Sequence, residues 1–463
     1  MLIVHIPSSC QNEQRYALDT LLGGFLGLVF EVECYDGDSI EITRLGSTGR
    51  FPKLTIDASF FHQAQHAWLK PESMPILPLA MWKPLDEGIK ANIVEPSVPV
   101  LYGKPGLVQN GKHLHLKLDI FGGAFFMLSR YEELITKDRD NHDRFPSAAS
   151  VALKAGFLDR PIVNEYLEIL WACLHKLWPD LKREERKFRK FISCDVDHPF
   201  NLKGRSFKSA VLRAGASLIK EKSPKLALFD ILNYVFKKIN IDYFDMDRNS
   251  IDWIMKVNDD AGNKVAFYFI PIQTDLNWED PNDVRSDKIS VLLKHISDSG
   301  HEIGFHPGYN TFRFYQNFQD SANALKEACM QKGIDICNLG GRQHFLRFDV
   351  GQTPTLWNEN GFSYDSSLGY ADMAGFRCGT CYEYNLYDLI GRSSLKLKER
   401  PLIIMEITVI AERYMGLGYS SKALKVFTYY ESICRKYNGN LTILWHNSHL
   451  RYKSARNLYL SIL

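Results

Sequence analysis

Lys264-Val265-Ala266-Phe267-Tyr268-Phe269-Ile270-Pro271 is the stretch on which the fold turns. An apolar run this short, closed by proline, reads as a strand buried on both faces. Asp287 to Gly300 follows as a helix that ends in glycine, and Glu302-Ile303-Gly304-Phe305 is the next strand. The same texture extends both ways. Upstream, Phe191-Ile192-Ser193-Cys194 is a short apolar strand, and Ser206 to Asn240 is basic and helical. Downstream, Asp320 to Lys332 is helical, and Gly341 to Phe348, Pro401 to Thr408 and Asn440 to Trp445 are strands. Strands alternating with helices imply βα units and a parallel sheet. Over about 270 residues a closed barrel is the natural expectation.

The first part of the chain has a different texture. Leu2–Ile6 reads as a strand, and Leu28–Cys34 and Ile40–Arg44 read as strands around the turn Asp36-Gly37-Asp38. His113–Leu118 alternates as a half-buried strand does. Asp119 to Glu133 reads as a turn and then a helix, and Pro161–Trp178 has a helical apolar pattern. Leu181 to Lys190 is a run of mixed charge, read as a solvated linker. The expected division is therefore residues 1–185, a smaller α+β domain, and residues 186–463, the βα domain.

Composition narrows the function classes. The chain has 463 residues, 45% of them hydrophobic and 24% charged, enough to bury a sizeable core. With 56 basic and 54 acidic residues, no global field holds nucleic acid or an anionic membrane. Nine cysteines, an odd number, point to a reducing compartment rather than a disulfide framework. Leu21–Phe30, the best apolar stretch, is too short to span a bilayer. The N-terminal residues lack the basic region of a signal peptide. A soluble, cytoplasmic protein without nucleic-acid partners is expected.

Polar residues of catalytic type recur where the strands end, which is where a βα barrel carries function. Asp195 and Asp197 are spaced i, i+2 and share a face of an extended chain. One can ligate a metal while the other acts as a base. His306 follows the strand Glu302–Phe305 and is a possible ligand; His301, at the opposite end, is a weaker one. Arg342 and His344 point to one side of their strand, and an arginine there can orient a carboxylate. His446 ends the last strand and can serve as a general acid. Taken singly, each is as readily an acidic turn, a packed histidine or a structural ion pair.

In this order the four segments resemble the polysaccharide deacetylases, also called NodB-homology proteins or carbohydrate esterase family 4. The resemblance covers roughly residues 190 to 463. It implies a distorted (β/α)7 barrel and hydrolysis of N- or O-acetyl groups on sugars with a divalent metal, usually zinc. Ser193-Cys194-Asp195-Val196-Asp197 resembles the family's Thr-Phe-Asp-Asp-Gly motif with one residue inserted. The base role then passes to Asp195 and a ligand role to Asp197. Gly300-His301-Glu302-Ile303 matches the lead-in to the His-(Ser/Thr)-x-x-His motif, so His306 takes the first ligand position and Asn310 stands at the second. His344, projecting beside Arg342, is a geometric candidate for the missing imidazole. Arg342 takes the place of the arginine that fixes the base, and His446 that of the histidine that protonates the leaving group.

Tyr364 to Arg377 also resembles a branch found beside surface-polysaccharide genes, in which an N-terminal domain of unknown role precedes the barrel. Phe121–Glu133 resembles that domain's signature. Asp365 and Arg377 are candidates for a substrate loop. The implied activity is de-N-acetylation of a sugar in surface-polysaccharide synthesis. Two alternatives stand beside it: hydrolysis of another C–N bond, in a ureide or cyclic amide, and a metal-free carbohydrate-binding or assembly protein. Cys378-Gly379-Thr380-Cys381 lacks the context of a redox or zinc motif, and no Gly-x-Ser-x-Gly elbow is present.

Overall fold

Leu2, Val4 and Ile6 alternate along the first strand and are buried. This strand, β1 (Leu2–Pro7), is followed by β2 (Phe30–Tyr35), β3 (Ser39–Arg44) and β4 (Lys53–Asp57). A short antiparallel pair, β5 (Ala80–Trp82) and β6 (Val98–Val100), precedes β7 (Gly103–Asn110) and β8 (His113–Leu118). The six-stranded sheet has the order β2-β1-β3-β4-β8-β7. The strands flanking the turn Asp36–Asp38 are therefore not partners. β1 lies between them, parallel to β2 and antiparallel to β3. The structure is a computed structural model that describes residues 1–46, 52–201, 206–219, 223–239 and 241–463.

Asp119 follows β8 and caps the helix Ile120–Leu128 by accepting the Gly122 N–H at 2.7 Å. Its second oxygen accepts the Phe60 N–H at 2.8 Å, in the first turn of the helix Ser59–Ala67. One buried carboxyl thus serves two helix N-termini, each of which has orphan donors. Gly122 is required for this approach, because a Cβ there would lie 2.3 Å from Asp119 Oδ2.

The chain forms two compact units. The first holds Met1–Arg189, Leu346–Ile403 and Tyr430–Leu441; the second holds Lys190–Phe345, Ile404–Tyr429 and Thr442–Leu463. The expected boundary at 185/186 lies near the first crossing, but the chain crosses again, which a single cut in the sequence does not express. Arg377, in the returning segment, shows why. Its guanidinium donates to both oxygens of Glu133 at 2.9 and 2.6 Å, and both residues are buried. Arg130 donates to Glu133 and Glu132 in the same cluster.

The second unit opens with β9 (Arg189–Val196), β10 (Val265–Phe269), β11 (Glu302–Phe305) and β12 (Gly340–Gly341). The chain returns to the first unit for β13 (Tyr364–Asp365), β14 (Tyr384–Asp388) and β15 (Ser393–Glu399), and then adds β16 (Ile404–Met405) and β17 (Asn440–His446). Within the second unit the order is β12-β11-β10-β9-β17-β16. The pairs β9–β10, β10–β11, β11–β12 and β16–β17 are parallel. All five residues of β10 are buried, which accounts for its unbroken apolar run. Helices Met246–Asp260, Asp287–Asp298 and Tyr315–Gln331 precede β10, β11 and β12.

Three local expectations change. The strand expected over Gly341–Phe348 stops at Gly341, and His344–Leu346 is a 3-10 turn with Phe345 at φ 60°. Pro401–Thr408 contributes only β16 before a helix begins at Glu406. Ser206–Asn240 resolves into helices Phe207–Ile219 and Pro224–Lys237, with residues 220–222 and 240 outside the described residues.

Asp119→Ala removes the acceptor of two helix N-termini and leaves buried donors. Chemical denaturation should show a loss of about 2 kcal/mol; an unchanged midpoint would mean that neither cap contributes.

Candidate functional site

Parallel register brings the strand ends together. Val196 pairs with Phe269, Phe269 with Phe305, and Phe305 with Gly341. The next residues of three of these strands are Asp197, His306 and Arg342, so all three leave the sheet at one edge. The close approach at β12 needs glycine, since a Cβ on Gly341 would lie 1.8 Å from the Phe305 carbonyl oxygen.

At that edge Asp197 Oδ1 lies 3.3 Å from His306 Nε2 and 3.8 Å from His344 Nε2. The three ligand-type atoms all lie within 4.8 Å of one another. The far nitrogens fix the rings. His306 Nδ1 is 2.6 Å from the Arg342 carbonyl oxygen, which can only accept, so Nδ1 carries the proton. His344 Nδ1 donates to the Glu279 carboxylate at 3.0 Å. Both rings therefore aim Nε2 at Asp197. His306 Nε2 and Asp197 Oδ1 are buried and have no hydrogen-bond partner. Two imidazole nitrogens and a carboxylate oxygen, oriented by a carbonyl and a carboxylate behind them, fit a divalent ion such as zinc.

The electrostatics favour a cation at the same point. Burial alone would raise the Asp197 carboxyl, but His306, His344 and His446 hold it well below the usual carboxylate range. Burial disfavours charge on His306, yet Asp195 and Asp197 push its pKa up.

Asp195, in β9, is buried and accepts from the Arg342 guanidinium at 2.8 Å, while its other oxygen is 3.7 Å from His306 Nε2. Arg342 also donates to the Ser193 hydroxyl at 2.9 Å. His446 presents Nε2 at 3.7 Å from Asp197 Oδ2. Its Nδ1 donates to Glu406 at 2.7 Å, and His449 Nδ1 donates to the same oxygen at 2.8 Å. Burial opposes charge on His446, but Glu406 prevails and pushes its pKa up to about 10. Glu406, His446 and His449 form a second group of ligand-type atoms.

Asp195, Asp197, His306, Arg342, His344 and His446 are thus assembled within the second unit. Arg342 and His344 reach the cluster from beyond the end of β12 rather than from a strand. Asn310 is turned elsewhere: its amide donates to the Thr274 carbonyl and to Asp275, each at 3.1 Å. Asp365 and Arg377 belong to the first unit and are buried. Asp365 accepts from the Ser367 hydroxyl and N–H, and Arg377 donates to Glu133 and the Gly369 carbonyl, so the first unit itself satisfies both. Sequence reasoning passed over Glu279, Glu406 and His449. Glu406 directly follows β16 and carried the same strand-end signal as His306 and His446. Glu279 lies in a connecting loop and carried none.

A family of unknown function (DUF7033) matches residues 2–179. No curated protein matches the sequence. Among solved structures the chain is similar to a protein from Mycobacterium smegmatis described as a polysaccharide deacetylase. Identity is 14% and the TM-score 0.39, over 60% of this chain and 83% of that one. It is also similar to a PuuE allantoinase, with 11% identity and a TM-score of 0.37 over 69% and 90% of the two chains. A Pseudomonas aeruginosa PAO1 protein described as a polysaccharide deacetylase gives 11% and 0.36 over 68% and 89%. Likeness at this level establishes no activity.

Glu279→Gln removes the carboxylate that orients His344 without touching a ligand atom. Titration calorimetry should show zinc affinity weakened about 10- to 100-fold, with His306→Ala weakening it further; unchanged affinity in both would exclude this cluster as the ion's site.

Proposed function

We propose that this chain is a metal-dependent hydrolase that removes an acetyl group from an amino sugar in the synthesis of a surface polysaccharide. The observation that carries the reading is the buried pair His306 Nε2 and Asp197 Oδ1, 3.3 Å apart and without hydrogen-bond partners. The sequence resemblance supplies the substrate class. We extend the reading to the fold, a distorted (β/α)7 barrel preceded by a domain of unknown role; the parallel strand order of the second unit supports it.

Asp197, His306 and His344 would hold the ion. A divalent ion bound there supplies Lewis acidity, which polarises an acyl oxygen and makes water a better nucleophile. Asp195 is the base. Arg342 fixes its carboxylate, so one oxygen is engaged and the other faces the centre. His446 is the acid. Its Nδ1 is tied to Glu406, which leaves Nε2 to carry a proton to the departing amine. Base and acid are thus distinct groups set apart by their partners, an arginine for one and a carboxylate for the other.

Acetate release from N-acetylated oligosaccharides tests the reading. Asp195→Asn and His446→Ala should each lower the rate about 10²- to 10⁴-fold, and metal removal should abolish it. Full turnover by the metal-free protein, or by both variants, would overturn the mechanism. Hydrolysis of cyclic ureides but of no acetylated sugar would keep the site and replace the substrate. Glu406→Gln removes the anion that favours protonated His446, so the alkaline limb of kcat/KM should begin at lower pH; an unmoved limb would take His446 out of the acid role.

A further inference from the structure

The helices Phe207–Ile219 and Pro224–Lys237 pack against each other in the second unit. A helix of a globular protein normally turns its large apolar side chains inward. In this pair the fully buried positions are small or polar. The first helix buries Ala210, Ala214 and Ser217; the second buries Ala227, Asp230 and Asn233. Their seam is small and polar. Ser217 donates to Asp230 at 2.9 Å, and Arg451 donates to both.

On the first helix the large apolar residues face out. Phe207 is 62% exposed, Val211 45%, Leu212 65%, Leu218 49% and Ile219 79%. At 3.6 residues per turn they span one broad sector beside the buried Ala210–Ala214–Ser217 line, with Lys208 inside it. Leu228 and Val235 add exposed apolar surface on the second helix. A continuous face of this kind marks an interaction site rather than ordinary surface.

Charge identifies the occupant. The whole chain is nearly balanced, but Ser206 to Asp242 carries seven basic residues against three acidic ones. Two of the three acids are engaged, Asp230 with Arg451 and Asp242 with Lys288. Lys208, Lys225 and Lys238 are exposed. A second copy would bring like charges together on its own apolar face. An anionic bilayer meets both features, with lysines at headgroup level and apolar side chains among the acyl chains. No helix among the described residues is long and apolar enough to cross a membrane, so such an element would lie along the surface.

We propose that the helices Phe207–Ile219 and Pro224–Lys237 form a peripheral membrane-binding element that seats its outward apolar face in the interfacial layer of an anionic lipid bilayer. Lys208, Lys225 and Lys238 contact the headgroups. The assignment is independent of the hydrolase reading.

Flotation of the full-length protein with phosphatidylcholine vesicles, with and without phosphatidylglycerol, tests it. The protein should float with the anionic vesicles and bind several-fold less as salt is raised. Leu212→Glu with Ile219→Glu should lower binding by about tenfold or more. Lys208→Glu with Lys225→Glu should lower it about twentyfold. All four positions are exposed, so circular dichroism and Tm should stay at wild-type values. Equal, weak flotation with both vesicles would overturn the proposal, as would flotation retained in both double variants. A wild-type dimer that Leu212→Glu with Ile219→Glu converts to monomer, without vesicle binding, would assign the face to a second copy instead.

Discussion

A carboxylate oxygen and an imidazole nitrogen buried face to face need a positive charge between them, a proton or a metal ion. His306 Nε2 and Asp197 Oδ1 stand in that relation at 3.3 Å, with neither satisfied by a protein hydrogen bond. Leaving one buried polar atom unpaired costs about 1–3 kcal/mol, and a second on the same point makes the arrangement costlier. A cation received there removes that cost, and the remaining features of the cluster serve to hold it.

Each surrounding contact serves to keep those atoms aimed. The Arg342 carbonyl fixes the tautomer of His306, and the Glu279 carboxylate fixes that of His344. Arg342 contributes twice, since its guanidinium also steadies Asp195. Glu406 takes the corresponding part behind His446. The result is a centre flanked by a carboxylate and an imidazole, each held by a partner of opposite charge. Acid–base hydrolysis needs two such groups in distinct environments.

The second unit contains two opposite solutions to burial. Around β10 the apolar side chains are enclosed completely, and the polar chemistry sits where the strands end. In the helices Phe207–Ile219 and Pro224–Lys237 the enclosed residues are small or polar, while large apolar ones, five of them on the first helix, face solvent. Total charge conceals the second feature, because a balance of 56 to 54 averages over a local excess. Charge acts over about a Debye length, so the distribution along a face matters more than the sum.

The βα alternation was legible because parallel strands bury both faces and so become unbroken apolar runs; β10 and β11 fall where the pattern put them. Asp195, Asp197, His306 and His446 were legible because each sits at a strand end. The sequence by itself determined which side chains stand at strand ends, since strand position and alternation are local properties of the chain. Tertiary structure alone decided which of them meet. β12 stops at Gly341, and His344 reaches Asp197 only through the turn beyond it. Glu279 enters from a loop with no periodicity, Asn310 is captured by Thr274 and Asp275, and Arg377 is held by Glu133, far away in the chain. Pairings of that kind depend on distances that close only when the chain is folded, and no spacing along the sequence encodes them.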